Sequence, residues 1–178
     1  MNLIFRLLRI IISALMKPRF GVLDISEVTF RVWPFDLDIN MHMTNARYLS
    51  MMDLGRTDLL IRAGMLPTVM RERWLPVVGN TNIRFRRSLR PFQRFTLKTR
   101  LLCWDEKWFY MEQRIVSDEG LHSSAIVRGL FRGPQGSVPS AALVESAQYG
   151  GESPPFPPEV VQLVAWEESS KRLRAVKS

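Results

Sequence analysis

Apolar side chains recur at helical spacing over residues 3–16. They alternate with polar ones over Val22–Trp33, then return to a helical period from Tyr48 to Ala63. Four further alternating stretches follow: Leu75–Arg87, Phe92–Trp104, Trp108–Ser117 and Leu121–Arg132. Pro18 and Gly21 close the first helix, and Pro34 breaks the first strand. Gly64 and Pro67 stop the second helix, which begins near Ala46 and shares an apolar face of Leu49, Met52, Leu59, Leu60 and Ala63. Four-residue turns at Trp104–Lys107 and Ser117–Gly120 make the later strands antiparallel hairpins. Strand, long helix, then four antiparallel strands predicts an α+β fold, a curled sheet with one helix against one face. Open sheet edges need covering, so Trp108–Ser117 or its neighbour is expected to pair with a second copy. Beyond Gly133 the pattern fades. Gly150-Gly151, Pro154-Pro155 and Pro157-Pro158 read as a linker, and Glu159–Lys177 as a basic helix or tail. The expected division is 1–17 leading helix, 20–140 folded domain, and 141–178 linker and tail.

Composition narrows the chemistry. A net charge of +8 favours anionic partners. The single cysteine, Cys103, excludes an intrachain disulfide and points to a reducing, cytoplasmic setting. Two histidines and one cysteine predict no metal site, and no Gly-rich phosphate loop is present, so no resident cofactor is expected. The basic charge comes without a nucleic-acid-binding motif, which argues against nucleic acid as partner.

The leading segment is shorter than the ~20 apolar residues of a spanning helix. Asn2, Arg6, Arg9 and Ser13, continued by Lys17, form one polar stripe of that helix. A cationic stripe on an apolar helix suits peripheral attachment at a membrane surface, the stripe facing headgroups and Leu3, Ile4, Leu7, Leu8, Ile11 and Leu15 facing acyl chains. A helix docked on its own domain and a short signal peptide are the rival readings.

The densest chemistry lies at Asp36-Leu37-Asp38-Ile39-Asn40-Met41-His42-Met43-Thr44-Asn45-Ala46-Arg47-Tyr48, between the first strand and the long helix. Carboxylates, carboxamides and an imidazole beside a helix N-terminus can activate a nucleophile and hold a developing anion. Asp36, Asp38, His42, Asn45, Tyr48 and Asp53 stand at a spacing that resembles the signature of the hotdog-fold acyl-CoA and acyl-carrier-protein thioesterases. Asp38-x-Asn40-x-His42 resembles the plant carrier-protein branch, and Asp36-Leu37-Asp38 the hydroxybenzoyl-CoA thioesterase group. Thr44 departs from the pattern, where many relatives carry a second Asn.

The resemblance implies a hotdog fold, an antiparallel sheet curled around a central helix, and hydrolysis of acyl-CoA or acyl-carrier-protein thioesters by a homodimer or homotetramer. CoA or phosphopantetheine enters as part of the substrate. Asp38 is expected as base or nucleophile, with Asn40, His42 and Asn45 as catalytic partners and Asp36 as a turn former. Asn45 is also a candidate helix cap, and its backbone N–H is expected to face the thioester oxygen. Tyr48, Asp53, Arg84, Arg86 and Arg87 are expected at the substrate. Asp53 and Arg56 also fit a buried pair, or Asp53 a second catalytic carboxylate across a dimer interface. Arg84, Arg86, Arg87, Arg90, Arg94, Lys98 and Arg100, placed on adjacent strands, are expected to clasp phosphates or an acidic carrier. Met41, Met43, Met51, Met52, Met65 and Met70 fit either an adaptable acyl pocket or ordinary core. The alternatives are an enoyl-thioester hydratase on the same fold and a non-catalytic acyl- or lipid-binding module.

Overall fold

The structure is a computed structural model that describes residues 3–175, with side chains through Ser169. Lys177 and the side chains of Lys171, Arg172 and Arg174, which the basic C-terminal reading rests on, lie outside the described set.

The elements in chain order are α1 (Leu3–Met16), β1 (Ser26–Arg31), α2 (Asn45–Arg62), α3 (Leu66–Arg71) and β2 (Leu75–Phe85). After them come β3 (Arg94–Trp104), β4 (Phe109–Ser117), β5 (Gly120–Gly133), β6 (Gly136–Val138), α4 (Ser140–Ser146) and α5 (Pro158–Ala175). The main sheet runs β1-β3-β4-β5-β2, all antiparallel, and β6 pairs with the end of β5. α2 lies against its inner face. This is the α+β hotdog arrangement that the resemblance implies.

Alternation on β3 buries Phe95 and Leu97 inward with Met51, Met52 and Leu54 of α2, and Leu101 in the lower core with Ala63 and Met65. Gly55 permits the close approach of helix and sheet. A Cβ there would meet Leu97 Cδ2 at 2.5 Å and Thr99 Oγ1 at 2.6 Å. Of the apolar face expected of α2, Met52, Leu59 and Ala63 are buried and Leu60 packs against the lower core. Leu49 is exposed, whereas Asp58 is fully buried, accepting from the Ser26 hydroxyl at 2.6 Å with Arg62 3.7 Å away.

Several expectations are corrected. β4 and β5 each have partners on both sides, so neither Trp108–Ser117 nor its neighbour is a free edge; β1 and β2 are the outer strands. The basic set is split as well. Arg84 lies on β2 at one edge, and Arg86 just past its end. Arg94, Lys98 and Arg100 lie on β3 across the sheet, where Lys98 pairs with Glu27 and Arg100 with Glu112.

Segment 141–178 is not a plain linker. α4 buries Leu143 and Val144 under the lower core. α5 packs on the outer face of the sheet through Val160 and Leu163, and Glu167 pairs with the nearly buried Arg128, whose guanidinium stacks 3.9 Å from the Trp108 ring centroid.

α1 is docked on α2 with its polar stripe turned partly inward. Arg6 is buried with Ile10 and Ala14, while Ile4, Phe5, Leu8, Ile12, Leu15 and Met16 face outward. The expectation that Arg6 faces lipid headgroups is overturned, because a buried carboxylate, Asp36, claims it at 2.5 Å.

Candidate active site

After β1 the chain makes a 3-10 turn at Pro34–Asp36 and then a tight hairpin. Leu37 bridges Met43, and Asp38 donates its N–H to the His42 carbonyl at 2.8 Å. Met41 takes a positive φ of 59° at the tip. Asp38 Oδ1 accepts from the N–H groups of Asn40 at 2.9 Å and His42 at 3.1 Å. Asp38 is thus a turn former too, beside Asp36, whose carboxylate and N–H both bond Trp33 across the 3-10 turn. Asp38 Oδ2 has no hydrogen-bond partner among the described residues, and the side chains of Asp38, Asn40 and His42 are all exposed.

Asp36 has a different environment. It is 1% exposed and accepts from the Trp33 N–H at 2.9 Å, while its Oδ2 meets Arg6. Arg47 Nε stands 3.1 Å from Oδ1, close enough for an ion pair although not aligned as a hydrogen bond.

The helix cap is Thr44, not Asn45. Its hydroxyl accepts from the Arg47 N–H at 3.3 Å. Threonine ranks somewhat below asparagine as a cap but well above an apolar residue, so the departure from the family pattern at this position keeps the cap. Asn45 is the first helical residue. The N–H groups of Asn45 and Ala46 have no partner among the described residues, as expected for the orphan donors of a helix start.

Tyr48 is 2% exposed, inside the upper core. Its hydroxyl accepts from the Leu89 N–H at 3.0 Å and its ring meets Phe85 edge-on, while the Leu89 carbonyl accepts from Met43. The tyrosine ties the loop after β2 to the start of α2, and burial raises its pKa. Substrate contact expected of Tyr48 gives way to this strut role.

Asp53 lies about 12 Å along the helix from Asn45, at 1.5 Å per residue, so one chain does not place it beside Asp38. Its carboxylate is mostly exposed and pairs with Arg56, which makes the expected buried pair only half-buried. The Arg56 guanidinium also donates to Gln113 Oε1 at 2.6 Å, and fully buried Gln113 bonds onward to Met52 O and Thr99 Oγ1. Burial lowers the Arg56 pKa, with Asp53 acting against it.

This polar seam caps an apolar cavity of about 240 Å³ between the second half of α2, the β2–β5 strands and α4, floored by Leu101, Phe109, Leu130 and Val144. Sequence reasoning missed this seam, because Gln113 is 57 residues from Arg56 and carries no motif.

The methionines divide. Met43, Met51 and Met52 fill the upper core, Met65 lines the cavity, and Met41 and Met70 are exposed. Arg84 and Arg86 line a groove under α5 on the outer face, and Arg87 donates to the Glu119 carbonyl. Cys103 is no candidate nucleophile: it is fully buried, and burial, aided by Asp105, pushes its thiol up to about 12.

Residues 32–164 match the family model of the thioesterase-like superfamily. The chain belongs to that superfamily. Within it, Protein THEM6 of Xenopus laevis is 37% identical over 145 residues, covering 81% of this chain and 70% of that protein. A probable thioesterase from Bartonella henselae is 27% identical, with a TM-score of 0.59 over 65% of this chain and 97% of its own. A Staphylococcus aureus protein solved in complex with CoA shares the fold, with a TM-score of 0.65 at 15% identity over 80% of this chain and 95% of its own. Family membership and these likenesses support acyl-thioester hydrolysis as the chemistry of this chain.

Proposed function

We propose that the chain is an acyl-CoA thioesterase whose reacting carboxylate is Asp38. The observation that carries this reading is the pinned loop. One Asp38 oxygen is fixed by two backbone N–H groups, the other has no partner among the described residues, and α2 opens at Asn45 with N–H donors likewise unpartnered among them. A thioester carbonyl set against those donors gains stabilisation as its oxygen becomes anionic. Asp38 then attacks the acyl carbon or deprotonates the attacking water, and the thiolate departs. His42 and Asn40, exposed on the same hairpin, are placed to contact the thioester group.

The CoA assignment draws on the fold shared with the Staphylococcus aureus protein solved with CoA and on the basic charge that Arg84 and Arg86 bring to the outer-face groove. The acyl chain belongs in the apolar cavity below Asp53 and Arg56. That cavity and Asp38 lie at opposite halves of α2, so a complete site needs a second copy. β2 is the natural seam. It is an outer strand with Leu75, Val77 and Val78 exposed, an edge that calls for a partner.

The test is release of free thiol across acyl lengths, on CoA and carrier-protein thioesters, with product masses. Expected is free acid from CoA esters, with Val144→Trp shifting preference to shorter chains. Hydrated enoyl product, or binding without turnover, overturns the hydrolase reading.

α1 supports placement at a lipid surface. Ile4, Phe5, Leu8, Ile12, Leu15 and Met16 are each at least half exposed and share its outward side, followed by Lys17 and Arg19. No helix among the described residues is long and apolar enough to cross a membrane. Insertion of this ridge into the interface, aided by basic residues at about 1 kcal/mol each on an anionic surface, suits peripheral binding. Full-length chain is expected to co-sediment with anionic vesicles, and Phe5→Ser/Leu8→Ser/Ile12→Ser to remain in the supernatant. Equal partitioning of the two refutes it.

A further inference from the structure

We propose that Arg6 is a positioning residue for the reaction, supplied to the acid loop by a helix outside the family's matched segment. This rests on the reading of Asp38 above. The family match starts at residue 32, and α1 ends at Met16. Yet α1 sends one side chain, 2% exposed, into the root of the signature loop. Arg6 Nη2 bonds Asp36 Oδ2 at 2.5 Å and reaches the Arg31 carbonyl at 3.4 Å, and Nη1 lies 3.3 Å from Met51 Sδ. One guanidinium thereby joins the end of β1, the first carboxylate of the loop and the core face of α2.

The effect on Asp38 passes through Asp36. Besides Arg6, Asp36 Oδ2 accepts from the Trp33 N–H, and the Asp36 carbonyl accepts from the Thr44 N–H at 3.0 Å. These bonds close the loop at both ends: Trp33 precedes the 3-10 turn and Thr44 caps α2. The Leu37–Met43 bridge and the Asp38 turn are built inside that closure. Burying an arginine and an aspartate is costly unless each is well paired, and an apolar pair would fill the volume without that cost. What the ion pair adds is a single permitted register for the loop relative to α2 and its oxyanion donors. Arg9, one turn on, donates to the exposed Thr29 carbonyl at 3.1 Å and lies 5.8 Å from the Phe30 ring centroid, contacts with β1 and not with the acid loop.

The experiment compares full-length wild type with Arg6→Met, Arg6→Lys and the control Arg9→Met. It reads kcat and KM on an acyl-CoA and amide hydrogen exchange at Trp33, Asn40, His42 and Thr44. Expected for Arg6→Met is faster exchange at those amides and a kcat loss on the order of 10- to 10²-fold, the scale of a misplacement of about an ångström, with KM little changed. Arg6→Lys keeps a cation at Asp36 and recovers most of the kcat, and Arg9→Met leaves both readouts at wild-type values. If Arg6→Met does not fold, Arg6→Gln is read by the same criteria. Unchanged exchange and kcat in the charge-removing variant, whatever its melting temperature, or no recovery by lysine, overturns the assignment. If wild type releases no thiol from any acyl thioester, the hydrolase reading fails separately, and the exchange data still decide whether Arg6 sets the loop.

Discussion

Asp38→Asn is expected to lower kcat by at least ~10²-fold, the lower end of what a positioned acid–base group contributes, while leaving the melting temperature close to wild type. Both halves follow from the geometry of one side chain. Asparagine keeps an oxygen that accepts from the Asn40 and His42 N–H groups, so the turn survives. It removes the charge from the oxygen that has no partner, and with it the ability to attack carbon or take a proton from water. The side chain is exposed, so no buried contact is lost. Stopped-time thiol release and a thermal melt on the same preparation check it. Near-wild-type turnover in a folded Asp38→Asn variant removes Asp38 from the mechanism and directs attention to Asp53 on α2.

How much of this was legible beforehand depended on the range of the interaction. The strands of the sheet and the long helix follow from local periodicity, and their limits differ by a few residues; β1 is shorter than Val22–Trp33 because Gly21–Asp24 forms a turn, with the Gly21 N–H bonded to Asp24. The acid loop was legible because its residues are contiguous. The neighbours of each strand were not. Alternation tells which face a side chain takes, not which strand lies alongside, so the arginines of β2 and β3 looked like one patch although two strands, β4 and β5, lie between them.

The same limit explains α1. A wheel groups Arg6 with Arg9 and Ser13, and a polar stripe normally faces water. Here the partner of Arg6 is a carboxylate 30 residues away, and only the tertiary arrangement brings it near. On α2 the apolar pattern found Met52, Leu59 and Ala63 but not Gly55 and Asp58, which are buried as well: one through lack of a side chain, the other through the Ser26 hydroxyl. The short elements α3, α4 and β6 carry too few turns or pairs to give a period.

The largest loss of stability is expected from Asp36→Ala. The substitution leaves Arg6 buried at 2% exposure with no carboxylate, since the remaining contacts are a backbone carbonyl and a thioether. Breaking a buried pair from one side costs about 3–5 kcal/mol. That is a large part of the ~5–15 kcal/mol that holds a domain folded. For a chain of this size it corresponds to a fall of roughly 6–20 °C in melting temperature. Arg47 does not share the penalty equally, because its side chain is 24% exposed and can turn to water.

The compensating variant makes the cause testable. Arg6→Met together with Asp36→Ala removes both charges and fills the site with an unbranched apolar chain beside Met51. The double variant is therefore expected to be more stable than Asp36→Ala alone, although its loop has lost the closure that Arg6 and Asp36 provide. Urea unfolding of the four proteins gives the coupling directly. A loss below ~1 kcal/mol for Asp36→Ala, in the range of an exposed pair, contradicts a buried ion pair at the root of the loop. Additive losses in the double variant contradict it as well, because they mean that the two side chains stabilise the fold independently.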